Sequence, residues 1–214
     1  MKSSKSSLRV SLALVTASIV MAIGIVSAQH GQQDPKGNKD KKDKDGQLTL
    51  ADGRCWANEQ RYVDCGNGTV TDQVTGLIWL QHSDCLGNAS FAEANEAAQR
   101  LKSGTCSLAD KSSPGQWRLP TKGEWEATLL MPSAPCTFPA LMNDAGSDCW
   151  GTGPSSLLNV VPDAYWSSSA RFSVELANPV DWMRFAWKAN LGVAGLEPAL
   201  ATTIYRVWPV RSVP

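Results

Sequence analysis

Six cysteines constrain this chain more than any other feature of its sequence. Their spacing suggests three nearest-neighbour disulfides, Cys55 with Cys65, Cys85 with Cys106, and Cys136 with Cys149, although other pairings stay open. The cysteines contain no Cys-x-x-Cys pair, and the only histidine in the cysteine-bearing part of the chain is His82, so a zinc site is not expected. The pattern therefore predicts a disulfide-stapled domain made in an oxidising compartment, with no metal and no cofactor.

The N-terminus has the features of an export signal. Lys2, Lys5 and Arg9 precede a long uncharged, mostly apolar stretch, which ends in small residues at Ala28. This pattern predicts a signal peptide over residues 1–28 and a secreted or periplasmic mature protein with no stable membrane span. An uncleaved membrane anchor is the alternative, because the uncharged stretch approaches the roughly 20 residues that a span requires.

Charge divides the rest of the chain into two parts. Residues 29–50 are rich in Gln, Gly, Asp and Lys and offer little to bury, which predicts a disordered charged linker. Residues 51–214 contain all nine tryptophans and form the predicted domain. In that domain 16 acidic residues exceed 12 basic ones. Nucleic acid is therefore not an expected partner, since its recognition requires a basic face.

The domain contains signals for both strands and helices. Two β-branched or apolar runs within residues 68–80 predict a hairpin. Ser90 and Glu93 form a capping box that predicts a first helix ending near Gly104, and Thr121 with Glu124 predicts a second helix. Aromatic and β-branched runs predict three further strands, at residues 165–168, 180–187 and 205–210. The expected fold class is α+β, with two helices against an antiparallel sheet.

Four motifs occupy residues 61–79, 117–121, 165–168 and 207–211. Together, and in this order, they resemble the Lcl C-terminal-domain-like family. Members are bacterial exported domains of unknown function, and the family takes its name from a collagen-like adhesin that binds sulfated glycosaminoglycans. The resemblance implies an exported binding domain of the cell envelope. This chain differs from that adhesin in having no Gly-x-y stalk and in carrying an acidic domain.

A shorter resemblance concerns the fold. Residues 117–126 are similar to a segment of the formylglycine-generating sulfatase-modifying family, whose fold is C-type-lectin-like. The similarity implies a C-type-lectin-like architecture for this domain. That family's activity is not implied, because it needs reactive thiols and the cysteines here are expected to be paired.

The tryptophans supply the candidate binding residues. Five of them are predicted to be core residues: Trp79, Trp117, Trp125, Trp166 and Trp208. Residues 181–190 are less constrained, and in a strand their alternating side chains place one set towards solvent. The candidates from this segment for contacting a glycan are Trp182, Arg184, Trp187 and Asn190.

These features favour a non-catalytic binding domain that recognises a glycan or an envelope protein. A structural or assembly module of the cell surface, as a homo-oligomer, is the alternative. An enzyme that uses Glu124 and Glu126 as paired carboxylates is the least favoured interpretation, because residues two apart on a helix point in different directions.

Overall fold

Short β-strands form the framework of the protein in a computed structural model that describes residues 41–42, 47–50, 52–129, 136, 139–171 and 185–212. The strands are β1 Lys41–Lys42, β2 Leu48–Thr49, β3 Cys55–Trp56, β4 Tyr62–Asp64, β5 Thr69–Asp72, β6 Ile78–Leu80, β7 Asn88–Ala89, β8 Ala164–Ala170, β9 Phe185–Asn190, β10 Gly195–Leu200, β11 Tyr205–Arg206 and β12 Val210–Arg211. The helices are α1 Phe91–Arg100 and α2 Lys122–Leu129.

The described strands assemble into three sheets of mostly antiparallel strands, which with the two helices agree with the α+β prediction; the prediction described one sheet and did not anticipate the division into three. The strand orders are β1-β2-β3, β10-β9-β8-β11-β7 and β12-β6-β5-β4. Among the strands that the structure describes, β11 and β8 pair in parallel. The five-stranded sheet carries the candidate functional site.

The N-terminal sheet enters the segment predicted to be a linker. β1 and β2 lie within residues 29–50, and β2 pairs with β3 on the side opposite β1. Backbone pairing therefore joins part of the predicted linker to β3, the strand that carries Cys55 of the first disulfide.

The predicted hairpin is present as β5 and β6. Its approach to the neighbouring loop requires a glycine at position 68. A Cβ atom on Gly68 would lie 2.4 Å from the backbone oxygen of Ser107, and the residue has a φ of +82°. Both the space and the backbone conformation exclude a larger residue there.

Both helices begin where the capping motifs predict. Ser90 and Glu93 form the capping box of α1. At α2, the Thr121 N–H donates to the Glu124 carboxylate at 2.7 Å, and the Glu124 N–H donates to the Thr121 hydroxyl at 3.2 Å. α1 ends at Arg100 rather than near Gly104, because the next residue, Leu101, turns into an extended conformation and is buried.

Three disulfides connect nearest neighbours, as the cysteine spacing suggested: Cys55–Cys65, Cys85–Cys106 and Cys136–Cys149. The second of these closes the loop that contains α1. It therefore restricts the position of that helix relative to the sheet.

Tryptophan rings fill the core. The five predicted core tryptophans, Trp79, Trp117, Trp125, Trp166 and Trp208, are completely buried. The ring centroid of Trp79 lies 5.2 Å from that of Trp125 and 4.8 Å from that of Trp208. Tilted ring pairs at these distances stabilise a core beyond the area that they bury.

The three predicted C-terminal strands differ in extent from the prediction, and the one expected over residues 165–168 is the longer β8. In the described part of the chain, the strand expected over residues 180–187 is β9, and it continues to Asn190. The strand expected over residues 205–210 is divided between two sheets, as β11 and β12. β10 was not predicted. Pro198 is tolerated within it because β10 is the edge strand of the sheet that the described residues form.

Candidate functional site

An apolar cleft of about 430 Å³ lies at one end of the five-stranded sheet. β8 ends there at Ala170, β9 begins at Phe185, and the chain leaves β10 at Ala201. The first turn of α1 forms another part of the wall. The described residues that line it are uncharged: Ser90, Phe91, Ala92, Ala170, Phe185, Ala201 and Thr202. Small-molecule sites occupy about 300–1,000 Å³ and are mostly apolar with a few polar groups, and this cleft has both properties.

Backbone hydrogen bonds fix the walls of the cleft. The Phe91 N–H donates to the Ala201 carbonyl at 2.9 Å and joins α1 to the turn after β10. The Arg171 N–H donates to the Phe185 carbonyl at 3.0 Å and joins β8 to β9. Phe91 and Phe185, the two aromatic residues of the cleft, therefore lie on elements that are hydrogen-bonded to neighbouring segments.

The capping box holds the first turn of α1 in place at this cleft. The Glu93 carboxylate accepts hydrogen bonds from the Ser90 hydroxyl at 2.7 Å and from the Ser90 N–H at 3.0 Å. These two bonds lower the pKa of Glu93. Glu93 is thus ionised at neutral pH, and its carboxylate is engaged in capping the helix.

Trp187 provides a second aromatic surface on the same strand as Phe185. Its side chain is half-buried, and it lies opposite Pro198 in the β9–β10 register. The Lys122 ammonium at the start of α2 lies 4.7 Å from the centroid of a Trp187 ring, a cation–π contact. Lys122 also forms an ion pair with Glu126 one turn further along α2. We call Trp187, Lys122 and Glu126 the Trp187 platform.

The platform and α1 lie on opposite faces of the five-stranded sheet. α1, whose first turn forms part of the cleft wall, packs against Trp166, Ala186 and Ala199. Trp187 alternates with Ala186 along β9, so its side chain points to the other face, where Lys122 of α2 contacts it. Phe185, at the start of β9, lines the cleft.

The structure separates two of the predicted site residues. Trp187 and Asn190 are three residues apart in β9 and therefore point to opposite faces of the sheet. The Asn190 side-chain oxygen accepts a hydrogen bond from the Gly192 N–H at 2.9 Å, which stabilises the turn between β9 and β10. Trp182 and Arg184, the other two candidates, lie outside the described residues.

Sequence reasoning missed the aromatic residues of the cleft as site residues. Neither Phe91 nor Phe185 was among the predicted site residues. Phe91 is half-buried, with its ring edge against Trp166 at 5.5 Å between centroids, so it serves both the core and the cleft. The sequence did contain one signal for Phe91, because this residue directly follows the N-cap residue. A side chain in the first turn of a helix lies near the end of the sheet on which that helix packs.

The two carboxylates of α2 have separate partners. Glu124 receives two hydrogen bonds from the Arg118 guanidinium, each 2.7 Å long, in a bidentate arrangement. Burial opposes its ionisation, but the hydrogen bonds from Arg118 and Thr121 outweigh burial and lower the pKa of Glu124. Glu126 pairs instead with Lys122. These contacts hold the start of α2 against the preceding segment, which carries Arg118.

Metal ligands and membrane spans were sought in the same residues. The described part of the chain contains no group of three or more His, Cys, Asp or Glu side chains positioned to bind a metal ion. Within these ranges, neither helix combines the length and apolar character needed to cross a bilayer.

Comparison with known proteins places the chain in a family. No curated protein matches it. The family model of the Lcl C-terminal domain matches residues 68–211, well over half of the chain, and this range includes both helices, the cleft and the Trp187 platform. The chain therefore belongs to the Lcl C-terminal domain family.

Proposed function

We propose that this chain is an exported, non-catalytic binding domain that recognises a glycan through the Trp187 platform and the cleft of the same sheet. The observation that carries the proposal is the partial exposure of Trp187, in a protein that buries Trp79, Trp117, Trp125, Trp166 and Trp208 completely. An aromatic ring left partly accessible beside a donor and an acceptor is available to a ligand.

The chemistry of this surface suits a saccharide. Sugar rings present C–H groups on their faces and hydroxyl groups on their edges, so a binding site needs aromatic faces together with donors and acceptors. Trp187, Phe185 and Phe91 supply the aromatic faces. Lys122 and Glu126 supply a donor and an acceptor beside Trp187, and the polar residues Ser90 and Thr202 line the cleft.

Export and lectin-like architecture belong to the same proposal. The three disulfides are compatible with an extracytoplasmic location, because such bonds persist in oxidising compartments. The predicted signal peptide over residues 1–28 gives the route. We also infer a C-type-lectin-like arrangement, supported by two helices packed with mixed sheets and by the sulfatase-modifying similarity at residues 117–126.

Trp187→Ala is expected to reduce glycan binding about tenfold or more. Stacking of a planar ligand on an aromatic side chain contributes roughly 1–3 kcal/mol in the related case of nucleic acid bases. The measurement is a glycan array followed by titration of the strongest ligand by calorimetry. Trp187→Phe keeps an aromatic ring and should retain most of the affinity.

Trp56→Ala is the matched control for this experiment. Trp56 is also an exposed tryptophan, with 42% of its surface accessible, but it lies on β3 in a different sheet. Its removal should leave glycan binding unchanged. Trp182→Ala tests the remaining tryptophan candidate in the same assay. Equal losses from Trp56→Ala and Trp187→Ala, or silence of the wild type across all glycans, would contradict the proposal.

A second candidate function, assembly of the chain with itself, rests on a different observation. Leu200 and Ile204 are exposed, at 49% and 55% of their surface, in the connection between β10 and β11. The cleft-lining residues Ala201 and Thr202 lie between them in the chain. Exposed apolar groups that continue an apolar cleft are typical of protein contact surfaces.

Light scattering with size-exclusion chromatography tests the assembly function. If the chain assembles through this surface, the wild type should elute as an oligomer, and Leu200→Glu with Ile204→Glu should convert it to a monomer. Val193→Glu is a suitable control, since Val193 is exposed at 67% but lies at the other end of β10. A monomeric wild type at micromolar concentrations would exclude this alternative.

A further inference from the structure

We propose that the Cys85–Cys106 disulfide is a thiol–disulfide exchange site, which a dithiol reductant opens before the other two disulfides while the rest of the domain stays folded. The inference goes beyond the proposed binding function and does not depend on it. Exchange begins when a thiolate reaches one of the two sulfur atoms, so access to the cysteines controls its rate. Three features of the molecule distinguish this disulfide from the others.

The exposure of Cys85 is the first of these features. Cys85 is exposed to solvent, and Cys106 is half-buried. In each of the other two disulfides one cysteine is buried, since Cys55 and Cys136 are only 1% exposed, and the partner of each is half-buried. A thiolate from solvent therefore has its most direct access to Cys85.

The backbone at Cys106 is the second feature. Cys106 has a φ of +52° and Ser107 a φ of +61°, so two consecutive non-glycine residues adopt the left-handed conformation. That conformation is unfavourable for L-residues and persists only where the surrounding structure imposes it. Of the described cysteines at positions 55, 65, 85, 106 and 149, only Cys106 has a positive φ. Opening the disulfide lets Cys106 relax, so the backbone favours the dithiol form.

The third feature is that the segment after this turn has contacts of its own with the rest of the domain. The Ala109 N–H donates to the Asn67 carbonyl at 2.8 Å. Leu108 is 3% exposed and belongs to the larger hydrophobic core. Neither contact involves a cysteine. Opening of the disulfide therefore releases the turn at residues 104–107 and leaves the chain that follows it in place.

The reaction transfers two electrons and two protons from a dithiol to the protein. One thiolate of the reductant attacks the Sγ atom of Cys85, a bond forms between these two sulfurs, and the Cys85–Cys106 bond breaks. The electron pair of the broken bond leaves on the Cys106 sulfur, which takes up a proton. The second thiolate of the reductant then attacks the mixed disulfide. Cys85 leaves as a thiolate that is protonated in turn, and the reductant becomes an internal disulfide.

Differential alkylation of the folded wild type tests the order of opening. The protein is treated with dithiothreitol for increasing times, and free thiols are blocked with one isotopic form of iodoacetamide. The remaining disulfides are reduced after denaturation and blocked with a second form, so that peptide mass spectrometry gives the open fraction of each pair. Cys85–Cys106 should open about tenfold faster than either other disulfide, before tryptophan fluorescence changes. Earlier opening of Cys55–Cys65 or Cys136–Cys149, or opening of all three together with loss of the fold, would overturn the inference.

Reduced glutathione in place of dithiothreitol identifies the sulfur that is attacked. Because it is a monothiol, it stays attached to that sulfur when the other one is alkylated. Glutathione is expected on Cys85 and the alkyl group on Cys106. The reverse distribution would place the attack at Cys106 and overturn the role given to the exposed cysteine.

Ser107→Gly tests the contribution of the backbone. Glycine adopts a positive φ without steric cost, so the closed form becomes more favourable, and the ratio of reduced to oxidised dithiothreitol at half opening should rise about threefold. Ala194→Gly is the matched control, since Ala194 is also an exposed residue with a φ of +52° but lies in the turn between β9 and β10. It should leave the opening of Cys85–Cys106 unchanged. No rise in Ser107→Gly, or an equal rise in both variants, would show that the left-handed backbone does not favour opening.

Discussion

Asp72→Ala is expected to lower the free energy of unfolding by about 3–5 kcal/mol, because it leaves the Arg61 guanidinium buried without its partner. The Arg61 and Asp72 side chains are only 7% and 0% exposed, and two hydrogen bonds of 3.3 Å join them. Asp72 also accepts hydrogen bonds from the Val74 and Thr75 N–H groups of the β5–β6 turn. Chemical denaturation followed by tryptophan fluorescence measures the loss.

Two comparisons separate the ion pair from other effects of the substitution. Asp72→Asn keeps an acceptor for the turn and should cost less than Asp72→Ala. Glu96→Ala removes an exposed ion pair, in which the side chains are 60% and 69% accessible, and should change stability by no more than about 1 kcal/mol. A loss from Asp72→Ala as small as that from Glu96→Ala would contradict the interpretation of a buried pair.

The parts of the fold that the sequence predicted correctly depend on local signals. The capping residues Ser90 and Thr121 mark the starts of α1 and α2, because each motif satisfies backbone groups within one turn. The disulfide pairing also followed from local spacing, since each cysteine pairs with a sequence neighbour.

The parts that differ depend on contacts between distant segments. Residues 205–210 form one β-type run in the sequence, but β11 pairs with β8 and β7 while β12 pairs with β6. Nothing local distinguishes the two halves of that run. β10 also depends on a contact with another strand. All six of its residues pair with β9, although the local sequence contains Pro198.

The candidate site divides in the same way. Trp187 could be selected from the sequence, because alternation along a strand allows one side chain in two to meet solvent. Lys122 could not be placed beside it, since the cation–π contact joins α2 to β9 across a long segment of chain. The cleft required the end of one strand, the start of another and the first turn of α1 to meet, which only the assembled sheet brings about.

Removal of the Cys85–Cys106 disulfide by replacing both cysteines with alanine is expected to lower the free energy of unfolding by about 3 kcal/mol. In the chain-entropy model, a cross-link that closes a loop of this size restricts the unfolded chain by roughly that amount. The sequence separation is 21, the largest of the three disulfides. The chain-entropy model therefore predicts that this variant loses more stability than the corresponding variants of Cys136–Cys149 and Cys55–Cys65.

The same variant has a second expected effect, because the closed loop contains α1. The first turn of that helix carries Phe91, which forms part of the cleft. Loss of the cross-link should therefore weaken glycan binding more than loss of Cys55–Cys65, whose loop contains no residue of the cleft. Denaturation curves for the three double-alanine variants, together with calorimetric titrations, test both effects. Equal binding by the Cys85/Cys106 and Cys55/Cys65 variants would show that the disulfide stabilises the domain without positioning the cleft.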